Sequence, residues 1–148
     1  MVLLFRGDAG GGHDLAVECA SFMVCIVDDD DAVRDSLRAL LESYGLTVFD
    51  FDCAAAYLSA KPAVEPGCLI VDLHMPGLDG LELIELLRRR RVQTPAILLT
   101  GRHDDKAAQR ARDSGVLKLL HKPVLADDLK FWIDRAFSAC GDVPAVRH

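Results

Sequence analysis

The sequence predicts an α/β fold. It reads as one doubly wound (βα)5 domain over residues 21–139, with a parallel five-stranded sheet in the order 2-1-3-4-5. Three observations lead there. Short apolar runs of strand length alternate with helical patterns along the whole of that segment. The first of these, at 22–27, is a continuous apolar run, as a strand covered on both faces is. The chain, at 148 residues, has room for a single sizeable core, and right-handed crossovers at that length favour this strand order.

Residues 1–20 read as a flexible N-terminal extension, with three consecutive glycines at Gly10 to Gly12. "FMVCIV" (22–27) is the first strand and stops at four aspartates, Asp28 to Asp31, of which Asp30 and Asp31 have the plain reading of acids that cap the next helix and complement its dipole. Val33, Leu37, Leu40, Leu41 and Tyr44 then recur at helical spacing, and Gly45 before Leu46 ends that helix. "TVFDF" (47–51) is the second strand, and "CAAAYLSA" (53–60) a short helix stopped by Lys61-Pro62.

"CLIVD" (68–72) is the third strand. "LELIELLRRRR" (81–91) is a strong helix capped by Asp79, and "PAILLT" (95–100) the fourth strand. The helix over 104–115 has only alanines on its apolar face, which predicts weak packing and mobility, and Gly115 closes it. "VLKLL" (116–120) is the fifth strand. The last helix, 125–139, is apolar at Leu125, Leu129, Trp132, Ile133, Ala136 and Phe137, and 140–148 reads as a C-terminal tail.

Composition narrows the function. The chain is 51% hydrophobic and 27% charged, the balance of a globular protein and not of a disordered one. A net charge of -6 argues against a direct nucleic-acid surface, which needs clustered cations. The run Arg88 to Arg91 falls at a helix C-terminus, where cations complement the dipole. No stretch is long enough to cross a bilayer, and the N-terminus does not make a signal peptide. The five cysteines lack CxxC spacing and three lie in apolar segments, so they read as reduced core residues of a cytoplasmic protein.

In a doubly wound sheet, ligands bind beyond the carboxyl ends of the strands, so residues there converge. The first strand ends in Asp28 and Asp29, the third in Asp72, the fourth in Thr100, and the fifth leads into Lys122. Each has a plainer reading taken singly: a cap, a strand exit, a surface lysine. Together they are three carboxylates, a hydroxyl and an ammonium at one rim. Clustered carboxylates need a positive partner, and a hard divalent cation such as Mg²⁺ takes oxygen ligands of this kind. A carboxylate can also act as nucleophile toward a phosphoryl group. His74, His103 and His121 fall at the same rim, without the spacing of a zinc motif.

The segments "CIVDDDDAVRDSLRALLESYG", "LIVDLHMPGLDGLEL", "ILLTG", "DSGV" and "LHKPV" resemble the receiver (CheY-like) domain of two-component response regulators, in its FixJ-like branch. The resemblance covers about residues 22–138 and implies a flavodoxin-like fold. It implies that Asp72 is the phosphoacceptor. Asp29 would ligate Mg²⁺ directly and Asp28 through water, with Asp72 and the backbone carbonyl of His74 as further ligands. Thr100 and Lys122 would hold the phosphoryl oxygens, and Lys122-Pro123 would be a cis peptide. His74 and Arg102 would tune access of water to the acyl phosphate.

The implied partner is a histidine kinase or a histidine phosphotransfer protein. The chain would then be a stand-alone signalling switch or phosphoryl shuttle, catalysing only its own phosphorylation and dephosphorylation. At the position where the family carries a strand-five aromatic, this sequence has Leu119. The output would be contact with an unidentified protein, or pairing of two copies on phosphorylation, if the receiver stands alone. Two alternatives stay open: a pseudo-receiver interaction module, and the receiver part of a longer DNA-binding regulator.

Overall fold

The computed structural model describes residues 22–60 and 65–140, in which ten elements alternate strictly between strand and helix. They are β1 (Met23–Val27), α1 (Asp31–Ser43), β2 (Thr47–Phe51), α2 (Ala54–Ala60), β3 (Cys68–Asp72), α3 (Gly80–Arg89), β4 (Ala96–Thr100), α4 (Asp105–Asp113), β5 (Lys118–His121) and α5 (Ala126–Cys140). The five strands form one parallel sheet in the order β2-β1-β3-β4-β5, as the sequence predicts. The expected extension at 1–20 and the Lys61-Pro62 stop lie outside the described residues. α5 runs to Cys140, the first residue of the expected tail; the rest of that tail also lies outside them.

Successive residues of a strand point to opposite faces, so each apolar run supplies two cores. Cys25, Val27, Leu69, Val71 and Leu98 pack under α2, α3 and α4. Val24, Ile26, Cys68, Ile70, Ile97 and Leu99 pack under α1 and α5, against Leu37, Leu41, Leu129 and Ile133. The helices are held unequally. α3 buries Leu81, Leu83, Ile84 and Leu87, each side chain contributing roughly 1.5–3 kcal/mol when fully buried. α4 buries only Ala107 and Ala111, about one methyl group's worth each, near 0.8 kcal/mol.

Two boundaries depart from the sequence reading. The fifth strand begins at Lys118 rather than Val116, because the Val116 N–H is drawn back to the Ala111 carbonyl at the end of α4 (3.1 Å). Leu125, expected on the apolar face of the last helix, is 66% exposed. It precedes the first turn of α5, and the structure gives it a carbonyl bonded to the Leu129 N–H (3.0 Å). Trp132, on α5, is half-buried against the α1–α5 core, with Lys118 Nζ 5.2 Å and the Arg135 guanidinium carbon 5.7 Å from its ring centre.

Three helices close in the same way. After α1, Gly45 (φ 84°) donates to Glu42 O and Leu46 to Leu41 O. After α4, Gly115 (φ 76°) donates to Arg112 O and Val116 to Ala111 O. These are Schellman closures, and glycine suits their left-handed residue. α3 has the same bond pattern, Arg91 to Arg88 O and Val92 to Leu87 O (both 2.9 Å), with Arg91 at φ 65°. A side chain in that region costs roughly 1 kcal/mol. Arg91→Gly should therefore raise the unfolding free energy by about 1 kcal/mol, read from urea denaturation. A midpoint at or below that of the parent protein would contradict this account of the α3 terminus.

Candidate functional site

The carboxyl ends of β1, β3, β4 and β5 meet at one rim. Asp28, Asp72 and Thr100 are buried there, at 1%, 5% and 1% exposure, while Asp29 is exposed. Lys122, from beyond β5, places its Nζ 3.3 Å from Asp28 Oδ2 and 3.1 Å from Asp72 Oδ1. Carboxylate oxygens of Asp28, Asp29 and Asp72 lie within 4.8 Å of one another. The structure thus gathers four of the expected residues around one point. The Lys122-Pro123 peptide is cis.

Local chemistry sets each position. The Asp28 N–H continues the sheet to Phe51 O (3.1 Å), and its Oδ1 accepts from the Asp30 N–H (2.9 Å). Asp30 caps α1, accepting from the N–H groups of Ala32 and Val33 (2.9 and 3.2 Å), which confirms its plain reading. Asp72 is paired in register with Leu99 on the central strands β3 and β4.

The chain then turns so tightly that a Cβ on Gly80 would lie 2.3 Å from Asp72 O. Asp79 caps the helix that follows in a reciprocal box with Glu82 (2.8 and 2.9 Å).

Thr100 ends β4 with its hydroxyl turned into its own loop, accepting from the Arg102 N–H (3.1 Å). Arg102 itself is exposed. His74 stands two residues past Asp72, half-buried, with Nε2 buried and lacking a hydrogen-bond partner among the described residues. His103 and His121 stack at 4.5 Å between ring centres. The three histidines form no common ligand group among the described residues; the group of three that can hold a metal is the aspartates. Leu119 is partly buried against the α2–α4 core, opposite Leu98 in the sheet register.

One ammonium faces three carboxylates, so the rim carries an excess of negative charge. Burial, and next the charge of Asp28, push the Asp72 carboxyl above its usual range, against the pull of Lys122. Burial alone would lower the Lys122 ammonium, but its hydrogen bond to Asp72 and the charges of Asp28 and Asp72 raise it instead. The donors are oxygens of hard character and the charge is unbalanced. That set fits a divalent cation.

A family model for the response regulator receiver domain matches residues 24–134. The chain belongs to the response regulator receiver family. The receiver is 40% identical over 113 residues to the transcriptional regulatory protein FixJ of Bradyrhizobium diazoefficiens, covering 76% of this chain and 55% of that protein. It is 35% identical to the DNA-binding transcriptional regulator NtrC of Escherichia coli, covering 78% of this chain and 25% of that one.

Among solved structures, the receiver resembles FixJ-N with a TM-score of 0.73 at 34% identity, covering 79% of this chain and 94% of that one. The response regulator StyR gives 0.74 at 36%, covering 79% and 59%. The chain therefore spans about half the length of the FixJ proteins it matches. Membership implies, in general, a histidine kinase as partner. No helix among the described residues is long and apolar enough to cross a membrane.

Two features escaped the sequence reading. Gly80 sits in a loop read only for its cap, and nothing in "GLDG" signals how close the strand end passes. Arg34 falls on the polar side of α1 yet reaches Asp28 O at 2.7 Å. Gly80→Ala should cost about 1–3 kcal/mol, because a backbone carbonyl has to give way, and should displace Asp72. Parent-like stability in that variant would show the loop to be slacker than its geometry.

Asp72→Asn tests the charge excess. An acid raised in the folded state holds its proton more tightly there, so the fold loses stability as pH rises through that value. Asparagine removes the cost. The variant should melt above the parent protein at neutral pH, with the gap closing below the ordinary carboxylate range. A gap that widens on acidification reverses the sign and defeats the argument.

Proposed function

We propose that this receiver accepts a phosphoryl group on Asp72 from the phosphohistidine of a histidine kinase or a histidine phosphotransfer protein. The observation that carries the reading is the Lys122 ammonium set 3.1 Å from Asp72 and 3.3 Å from buried Asp28. An Asp72 carboxylate oxygen attacks phosphorus, and the P–N bond to the donor histidine breaks. The imidazole leaves with the bonding electrons.

Asp29 and Asp72 would hold Mg²⁺ directly, with the His74 carbonyl, and Asp28 would do so through water. The ion supplies positive charge that lets phosphoryl oxygens approach the carboxylates. Lys122 keeps one hand on Asp28 while its remaining donors meet the phosphoryl group. For Thr100 to do the same, its hydroxyl has to leave Arg102. The β4–α4 loop then loses a tether, which couples phosphorylation to the helix whose buried residues are two alanines. Leu119 fills the strand-five position with an aliphatic chain and no hydroxyl, so any readout there is by packing.

The chain works as a switch in the cytoplasm, and its chemistry is confined to its own acyl phosphate. Its output is contact with another protein, pairing of two copies, or control of an attached DNA-binding segment. Incubation with acetyl phosphate and Mg²⁺ should add one phosphoryl mass to the intact protein. The gain should vanish in Asp72→Asn and on chelation. Absence of the gain, or its persistence in that variant, would leave a pseudo-receiver interaction module as the better reading.

A further inference from the structure

Asp28 has every main-chain and side-chain polar group engaged: N–H to Phe51 O, Oδ1 from Asp30, Oδ2 from Lys122, and the carbonyl from Arg34 Nη1 at 2.7 Å. Asp29, the next residue, is exposed and has no hydrogen bond to its carboxylate among the described residues. Its side chain is therefore aimed by its backbone alone. The plane of the 28–29 peptide fixes that backbone, and the Asp28 carbonyl is one end of the plane. Arg34 is the side chain that holds it.

Arg34 is itself anchored. Its Nε donates to Asp50 Oδ2 on β2 (3.2 Å), and its Nη2 to Asp31 Oδ1. Asp50 also takes Arg38 Nη1 (2.7 Å), and Arg38 continues to Glu42 (3.1 Å). The Arg34 and Asp50 side chains are 14% and 24% exposed, so the pair is shielded from water far better than an ordinary surface ion pair. The planar fork uses three nitrogens on three different acceptors, which no lysine can copy.

We infer that Arg34, braced by Asp50, is a positioning residue for the cation site, holding the Asp28–Asp29 peptide so that the Asp29 carboxylate faces Asp72. The inference rests on the proposed metal-dependent phosphorylation but concerns the binding step that precedes it. Removing an outer partner of a metal ligand typically weakens metal affinity by about 10–100-fold. The loss belongs to the affinity for cation and leaves the transfer step at saturating cation close to that of the parent.

The test is calorimetric titration of the unphosphorylated protein with MgCl₂, followed by acetyl-phosphate labelling across a range of Mg²⁺. Arg34→Met should weaken Mg²⁺ binding by about 10-fold, and raise the Mg²⁺ needed for half-maximal labelling equally, with the maximal rate near that of the parent. Arg34→Lys, which keeps the charge, should also fold and should show a smaller shift in the same direction. Arg38→Met removes a partner of Asp50 without touching Asp28, and should leave Mg²⁺ affinity unchanged.

Parent-like Mg²⁺ affinity in both Arg34 variants overturns the inference. So does an Arg38→Met shift as large as that of Arg34→Met, because the effect would then be general loosening. If the parent protein binds Mg²⁺ but takes no phosphoryl group, the functional reading fails while the affinity comparison still decides the role of Arg34.

Discussion

Lys122 reaches from the end of β5 to carboxylates that arrive from β1 and β3. Strands of a sheet stand about 4.8 Å apart, so β1 and β5 are separated by roughly 14 Å at sheet level. Only side chains leaning over the intervening ends can close that distance. The order β2-β1-β3-β4-β5 puts β4 in the path, and β4 ends in a residue as small as Thr100. Much of the rim follows from this one contact. Asp28 and Asp72 are tolerated in burial because a cation is shared between them, and their residual negative charge is what gives the rim its appetite for more positive charge.

The fold was open to sequence reasoning because its signals are local and redundant. Five short, mainly apolar runs, each followed by a helical pattern, leave few topologies once handedness is imposed. Caps were equally readable: Asp30 and Asp79 do what short acids before helices do. The rim was readable because strand ends converge by rule, which joins Asp28, Asp72 and Lys122 across a long separation in sequence.

Other features depend on distances that no spacing encodes. Gly80 matters through a carbonyl that only the folded turn brings near, and Arg34 through its reach over the end of β1. The start of β5 was misplaced because Val116 is apolar enough to suit a strand while its N–H belongs to a helix terminus. Leu125 looked like core because its spacing suits a helix that begins one residue later. His74, His103 and His121 share the rim in sequence terms, but only His103 and His121 meet.

The protein contains a single tryptophan, and its indole lies beneath Lys118, the residue that opens β5, while Lys122 follows the strand's far end. That cation–π contact crosses from β5 to α5, so the ring senses how these two elements sit together. A shift of α5 against β5 would therefore register in the emission of this one indole, with no second fluorophore of the same kind to confuse the signal.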